Sequence, residues 1–420
     1  MTRFLLKIKN SLKKLGPGFI TGIADDDPSG VMTYLIVGAK TGLSLLWTAL
    51  FTIPMMISIQ EMCARIGLSS KKGLAGNIKS HLSAKILIPI ALTMLAVNIL
   101  NIAANLSGMV ASVSLLLPLP KLVWGVFFSA FILLSLIFFS YQSLVNLLRF
   151  LALTVLAYVG SALLSGLSVG ELLSHTFLPR FSFDRENLMA IVAILGTTIS
   201  PYLFFWQASE EVEERSQMES HHKRFYLTRR YMGSMRQDVA LGMVTSNLVM
   251  FFIIASSAAT LNRAGLTQLT TTDQAALALA PLAGPLSALL FTLGIIGTGL
   301  LAIPVLAGSS AYILAEVYSQ KEGLNKSYRQ ARFFYLTIIF AVISGLLLSL
   351  LPINPLDLLF YTALVYGLLS PLLILVILYL ANNKAVLAEK TNGWMSNLTG
   401  ILTFILMGLA AVSLIFSGLK

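Results

Sequence analysis

The chain has 420 residues, of which 56% are hydrophobic and only 11% are charged, and its net charge is +11. Soluble proteins carry about 25% charged residues, so this composition excludes a soluble protein and indicates a polytopic membrane protein. The single cysteine, Cys63, excludes an internal disulfide and a thiolate metal cluster.

Eleven apolar segments follow a basic amphipathic start at residues 1–15, and a spanning helix needs about 20 such residues. They lie at roughly 16–40, 45–67, 85–115, 121–141, 147–168, 188–212, 237–260, 285–318, 331–351, 355–381 and 395–418. The sequence therefore predicts eleven membrane spans and an all-helical fold.

The basic residues separate by side when the N-terminus is placed in the cytoplasm and the spans alternate. Of the 29 Lys and Arg residues, 23 then lie in cytoplasmic segments, and six lie outside: Lys40, Lys121, Arg180, Arg185, Arg263 and Lys420. This asymmetry follows the positive-inside rule. It predicts a multi-pass membrane protein with a cytoplasmic N-terminus and an external C-terminus. The expected partner is the lipid bilayer; nucleic acid is not indicated, and no obligate protein partner is evident.

The first span contains three consecutive carboxylates, Asp25, Asp26 and Asp27, and then Pro28. An Asp at the bilayer centre costs roughly 2.5–3.5 kcal/mol. Proline removes a backbone donor and disfavours helix at the preceding residue. The pattern favours a broken helix whose unwound middle faces a cavity. The alternative is that this stretch is not a span and lies in an aqueous vestibule.

The sixth span has a matching interruption at Gly196–Pro201. Pro28 and Pro201 lie about 12 and 13 residues from the starts of their spans, which at about 1.5 Å per residue places both near the bilayer midplane. Five spans separate the two starts, so the two spans run in opposite directions. Interrupted spans at corresponding positions of two five-span halves are typical of inverted-repeat transporters. The predicted organisation is a first repeat at 16–168, a second repeat at 188–381 and an additional span at 395–418.

The residues at the two breaks are hard oxygen donors. Asp27 is the best-placed carboxylate, and Thr197, Thr198 and Ser200 offer hydroxyls and carbonyls. Such ligands suit Mg²⁺, Ca²⁺ or Mn²⁺. A Thr in a membrane helix more often bonds its own i−4 carbonyl, and this remains the alternative for Thr198.

Two further polar groups have competing interpretations. Three asparagines at helical spacing on the third span, Asn98, Asn101 and Asn105, are expected to form interhelical hydrogen bonds rather than to bind metal. The carboxylates at the end of the sixth span are interpreted first as a solvated face paired with Arg215, Lys223 and Arg224, and alternatively as a vestibule that attracts cations: Glu210, Glu211, Glu213 and Glu214.

At these motifs the chain resembles the NRAMP family of divalent-metal transporters. Gly16-Pro17-Gly18-Phe19 matches the family's segment before the first break, and Asp27-Pro28-Ser29-Gly30 stands where the family has Asp-Pro-Gly-Asn. Thr197-Thr-Ile-Ser200-Pro201-Tyr202 stands at the family's Ala-x-x-Met-Pro-His. The resemblance implies a LeuT-like fold: two inverted five-helix repeats with broken helices 1 and 6, plus an eleventh helix.

The resemblance also implies a ligand set. Asp27 would supply the carboxylate, and Ala24 and Thr197 the carbonyls, while Gly30 takes the family's Asn position and Ser200 its Met position. Three further residues are weaker candidates: Asp26, Thr198 and Tyr202. Losing the soft Met ligand should leave a harder, wider site, which suits partly hydrated Mg²⁺. The metal is cargo, and no cofactor is implied.

The family's proton-pathway residues are replaced. Its two histidines correspond to Tyr202 and Gln207, and acids on the third span correspond to Asn105 and Gly108. The pattern is similar to the NRAMP-related magnesium transporters. We therefore expect import of Mg²⁺, and also Mn²⁺, by alternating access without proton coupling.

Three alternatives remain open. A proton-coupled Mn²⁺/Fe²⁺ importer would lack its Met and histidines here. A LeuT-fold amino-acid transporter would need a Gly-rich first break for the substrate carboxylate rather than three Asp. A membrane enzyme or a channel is not favoured, because the sequence has no H-E-x-x-H motif or nucleophile constellation.

Overall fold

The computed structural model describes residues 16–138, 153–180, 184–221 and 227–417, and within them the chain is helical without strands. The first half contains α1 (Pro17–Asp25), α2 (Pro28–Thr41), α3 (Trp47–Ser70), α4 (Leu74–His81), α5 (Ala84–Ser114), α6 (Lys121–Phe138), α7 (Ala157–Leu164), preceded by a 3₁₀ turn at Leu153–Leu156, and α8 (Val169–Phe177).

The second half begins with α9 (Arg185–Thr198), α10 (Pro201–His221) and α11 (Arg229–Ser257), which continues as a π-helical turn at Ala258–Asn262. Short turns at Thr272–Ala276, Leu277–Leu279, Ala280–Ala283 and Gly284–Leu286 lead into α12 (Ser287–Val317). The remaining long helices are α13 (Arg332–Ser349), α14 (Pro355–Asn382) and, after turns at Lys384–Leu387 and Ala388–Lys390, α15 (Trp394–Ser417).

In the described residues, nine helices are long and apolar enough to cross a membrane. They are Trp47–Ser70, Ala84–Ser114, Lys121–Phe138, Arg185–Ser220, Arg229–Asn262, Thr272–Val317, Arg332–Ser349, Pro355–Asn382 and Trp394–Phe416. Neither α1, with 9 residues, nor α2, with 14, is long enough by itself to be among them. A bent pair, Thr154–Leu164 and Val169–Phe177, turns by 114° at the end of the predicted fifth span, whose residues 147–152 lie outside the described part.

Both predicted helix breaks are confirmed. Helix α1 ends at Asp25 and α2 begins at Pro28, while α9 ends at Thr198 and α10 begins at Pro201. Each proline opens its helix, where its missing N–H costs no intrahelical bond. The α10 and α11 helices extend further than predicted, to His221 and from Arg229.

Helix α1 lies unusually close to α11 because glycines face each other. A β-carbon on Gly242 would lie 2.4 Å from the Gly18 carbonyl oxygen, and one on Gly22 would lie 2.4 Å from the Gly242 carbonyl oxygen. Small residues allow this kind of backbone approach in membrane bundles. The contact fixes α1, and with it the first break, against α11.

We expect Gly242→Ala to destabilise the protein, since overpacking of a tight interface costs about 1–3 kcal/mol. The matched control is Gly233→Ala on the same helix, where an added β-carbon meets nothing within 4 Å. Thermal unfolding of the detergent-solubilised variants measures the difference. Equal melting temperatures for the two variants would contradict the close packing of α1 on α11.

Candidate functional site

Asp27 lies between the two halves of the first span and is 2% exposed. It caps α2: its Oδ1 accepts a hydrogen bond from the Gly30 backbone N–H at 2.7 Å. Its Oδ2 accepts from the Nδ2 atoms of Asn101 at 3.2 Å and Asn105 at 3.0 Å, both on α5. A carboxylate so buried needs several donors. Asp27 has three, and they fix its direction.

The three asparagines of α5 form the interhelical hydrogen bonds that their spacing predicted. Asn98 donates to the Ser310 hydroxyl of α12 at 3.0 Å and accepts from the Tyr366 hydroxyl of α14 at 2.7 Å. Asn105 also accepts from the Ser29 backbone N–H at 3.2 Å. The sequence did not indicate that two of the three hold Asp27.

The space beside Gly30 is lined by oxygen atoms from both breaks. A β-carbon on Gly30 would lie 3.2 Å from the Asp25 carbonyl oxygen, 3.2 Å from the Thr197 hydroxyl and 3.5 Å from Asp27 Oδ1. Asp25 and Asp27 belong to the first break and Thr197 to the second. Residue 30 has no side chain. The carboxylate, the hydroxyl and the carbonyl therefore surround a position that a β-carbon would otherwise occupy.

The other predicted ligands lie at the same breaks but already have partners. The Ala24 carbonyl accepts from the Tyr202 hydroxyl at 3.3 Å. The Ser200 hydroxyl donates to the Thr197 carbonyl at 2.7 Å. The Thr198 hydroxyl lies 3.2 Å from that of Tyr34 and 3.8 Å from the sulfur of Met250. The structure thus brings the predicted set together, and ligation by these residues stays a prediction.

Asp25 and Asp26 are buried at the same break, at 0% and 6% exposure, so they do not lie in an aqueous vestibule. The hydroxyl of Ser246, on α11, is 3.0 Å from Asp25 Oδ2 and 3.2 Å from Asp26 Oδ1. Across the described ranges, no group of three or more His, Cys, Asp or Glu residues is arranged to hold one metal ion. The three Asp side chains therefore do not form a single three-carboxylate site.

A cavity of about 280 Å³ lies where the C-terminal end of α2 meets the N-terminal ends of α9 and α14. Its wall includes Lys40, Glu186 and Asp357, and Lys40 forms an ion pair with Glu186 at 3.1 Å. With the N-terminus in the cytoplasm, as the distribution of basic residues predicts, this would be the external side of the two breaks. The cavity is a candidate outer vestibule, separated from Asp27 by buried residues of α2 and α9.

The interpretation of the Glu210–Glu214 carboxylates as a solvated face paired with Arg215 is wrong. Glu211 is only 1% exposed, and its Oε1 accepts from Gln207 at 2.9 Å. Glu213 accepts from the Leu324 N–H at 2.7 Å, and Arg215 pairs instead with Glu219 at 2.9 Å. The reason is that the loop after α12 covers this face of α10. Lys223 and Arg224 lie outside the described residues.

Glu322 adds an acidic group in the loop that follows α12. Burial, and then the nearby charge of Glu316, raises the pKa of Glu322 to about 9. Its Oε2 is buried without a hydrogen-bond partner among the described residues. The end of the bundle that the basic residues predict to be cytoplasmic therefore contains buried acids.

A family model described as "Natural resistance-associated macrophage protein-like" (Nramp) matches residues 18–417. The chain is 28% identical over 305 residues to the divalent metal cation transporter MntH of Erwinia tasmaniensis, covering 70% of this chain and 69% of that protein. It is 25% identical over 304 residues to the protein of the same name from Klebsiella pneumoniae, covering 71% and 70%.

Solved structures show the same fold. The manganese transporter of Eremococcus coleocola superposes with a TM-score of 0.72 at 17% identity, covering 96% of this chain and 86% of that chain. MhsT in complex with L-phenylalanine superposes with a TM-score of 0.61 at 15% identity, covering 96% and 97%. The predicted LeuT-like fold is thereby confirmed.

We expect Asn105→Ala to weaken metal binding by roughly 10- to 100-fold, the usual cost of removing a group that orients a ligand. The matched control is Asn98→Ala, which removes equally buried hydrogen bonds without touching Asp27. Titration of Mn²⁺ into the purified variants measures the affinity. If both variants bind Mn²⁺ equally well, Asn105 does not act through Asp27.

Proposed function

Because the chain belongs to the Nramp family of membrane transporters, we propose that it imports divalent metal cations, preferring Mg²⁺ and also carrying Mn²⁺, by alternating access without proton coupling. It is a transporter and not an enzyme. The proposed setting is the bacterial inner membrane, with the N-terminus in the cytoplasm and the C-terminus outside.

The convergence of oxygens beside Gly30 carries this proposal. The Asp27 carboxylate, the Thr197 hydroxyl and the Asp25 carbonyl come from both broken helices and meet where a side chain is missing. Hard oxygen ligands suit Mg²⁺, which is bound through oxygen and keeps several of its waters. The Ala24 and Thr197 carbonyls and the Ser200 hydroxyl complete the proposed set, directly or through water.

Mn²⁺ is included because one soft donor lies close to the second break. Met250 Sδ lies 3.8 Å from the Thr198 hydroxyl. Thioether sulfur favours transition metals over alkaline earths. The relatives named as manganese and divalent metal transporters also support including Mn²⁺.

The replacement of the family's two histidines by Tyr202 and Gln207 supports transport without proton coupling. The family pattern has proton-carrying histidines at these two positions. Here the Tyr202 hydroxyl donates to the Ala24 carbonyl, and the Gln207 amide donates to Glu211. A divalent cation gains about 4.6 kcal/mol per 100 mV of inside-negative potential, which is twice the single-charge value. The membrane potential alone can therefore drive uptake.

The direct test is uptake of Mg²⁺ and Mn²⁺ into proteoliposomes that contain an internal pH dye. We expect both ions to enter in response to an inside-negative potential, without stoichiometric acidification. Asp27→Ala should abolish uptake while the protein keeps its elution profile on gel filtration. Acidification strictly linked to metal entry would refute the uncoupled mechanism, and absence of Mg²⁺ uptake would refute the substrate.

A second prediction concerns the two positions that depart from the family motif. Gly30→Asn together with Ser200→Met should raise the affinity for Mn²⁺ or Cd²⁺ relative to Mg²⁺, because it adds an amide oxygen and a thioether. A β-carbon at residue 30 is tight at 3.2 Å, so Gly30→Ala with Ser200→Ala is the steric control. Unchanged selectivity in competition uptake would show that neither residue contacts the ion.

A further inference from the structure

The three carboxylates of the first break have very different surroundings. Asp27 accepts from three donors: a backbone N–H and two asparagine amides. Apart from the Ser200 hydroxyl, which lies near Asp25 but donates to the Gly196 and Thr197 carbonyls, Asp25 and Asp26 share one hydroxyl, that of Ser246. A hydroxyl has a single proton, so it can donate fully to only one of them at a time.

Asp25 and Asp26 also lack a counter-charge. In the part of the chain that the structure describes, no Lys or Arg forms an ion pair with either of them. Asp25 is 0% exposed, and its Oδ1 has no hydrogen-bond partner among those residues. A buried, uncompensated carboxylate costs several kcal/mol. Helix α1 ends at Asp25, so the C-terminal end of its dipole adds further negative potential.

We propose that Asp25, Asp26 and the Ser246 hydroxyl form a second cation site, which takes a hard divalent metal ion such as Mg²⁺ or Mn²⁺. Two carboxylates balance the charge of a dication. Carboxylate and hydroxyl oxygens are the donors that such ions prefer. The unpartnered Asp25 Oδ1 is the oxygen that the ion would satisfy. This inference rests on the proposed function and makes the transport path a two-ion path.

The two sites are linked through one residue. The backbone carbonyl of Asp25 faces the space beside Gly30, while its side chain contacts Ser246 on α11. An ion at Asp25 and Asp26 therefore lies next to the Asp27 site, on the side of α11. Repulsion between two dications at neighbouring positions would help to release the first, as in multi-ion conduction.

The test is the number of Mn²⁺ ions bound per chain, measured by equilibrium dialysis of the full-length protein in detergent. We expect two ions for the wild type. At a Mn²⁺ concentration that saturates the wild type, Asp25→Asn with Asp26→Asn should bind about one ion, and the milder Ser246→Ala should bind less Mn²⁺ than the wild type at a fixed subsaturating concentration. Ser257→Ala is the matched control, since it removes a buried hydroxyl from α11 that bonds the Leu35 carbonyl instead.

The outcomes separate this site from the proposed function. One ion bound by the wild type, kept by the Asp25→Asn/Asp26→Asn variant and lost by Asp27→Ala, would overturn the second site and leave the transport proposal standing. This would also be the result if protons, rather than metal, neutralise the pair. No Mn²⁺ or Mg²⁺ bound by the wild type would overturn both.

Discussion

The burial of Asp27 constrains the rest of this structure. A carboxylate near the middle of a membrane protein is tolerated only when donors surround it. Here the donors are the Gly30 N–H in the first turn of α2, which is free because the helix breaks, and two amides of α5. The break, the polar face of α5 and the position of the carboxylate therefore depend on one another. A continuous first helix would lose the N–H that holds Asp27.

The two breaks contribute different chemistry to the same place. The first provides charge, through Asp27 and its neighbours, and the second provides neutral oxygens, through Thr197 and Ser200. A dication beside Asp27 alone would keep one uncompensated positive charge in surroundings of low dielectric constant. Asp25 and Asp26 lie at the same break, and in the proposed second site they would balance the charge of a dication of their own. This would explain why three carboxylates can persist in a segment where one is already costly.

The sequence was sufficient for the features that depend on local composition. Hydropathy placed most helix ends within a few residues, and Pro28 and Pro201 located both breaks. The contacts of Asn105 with Asp27 and of Ser246 with Asp25 were not predictable, because they join residues 78 and 221 positions apart. The spacing of the asparagines on α5 was the available signal. It indicated one polar helix face but could not identify the group that the face contacts.

The acids of α10 also show what sequence patterns cannot predict. A run of Glu and Arg residues is typical of a solvated helix end. Nothing in the run itself shows which other segment packs on it. The loop at Leu324 and Asn325 packs on Glu213, and Glu211 is buried. Which face of a helix is covered is decided by distant segments. Charge patterning alone therefore cannot distinguish a surface from an interior here.

The residues that replace the Met and His of the family motif form hydrogen bonds of their own. The Ser200 hydroxyl uses its proton on the Thr197 carbonyl, which leaves the hydroxyl oxygen's lone pairs available to an ion. The Tyr202 hydroxyl occupies one lone pair of the Ala24 carbonyl and leaves the other free. Each replacement therefore orients an oxygen and removes a soft or titratable group. The proposed preference for a hard, hydrated cation would depend on this arrangement rather than on any single added ligand.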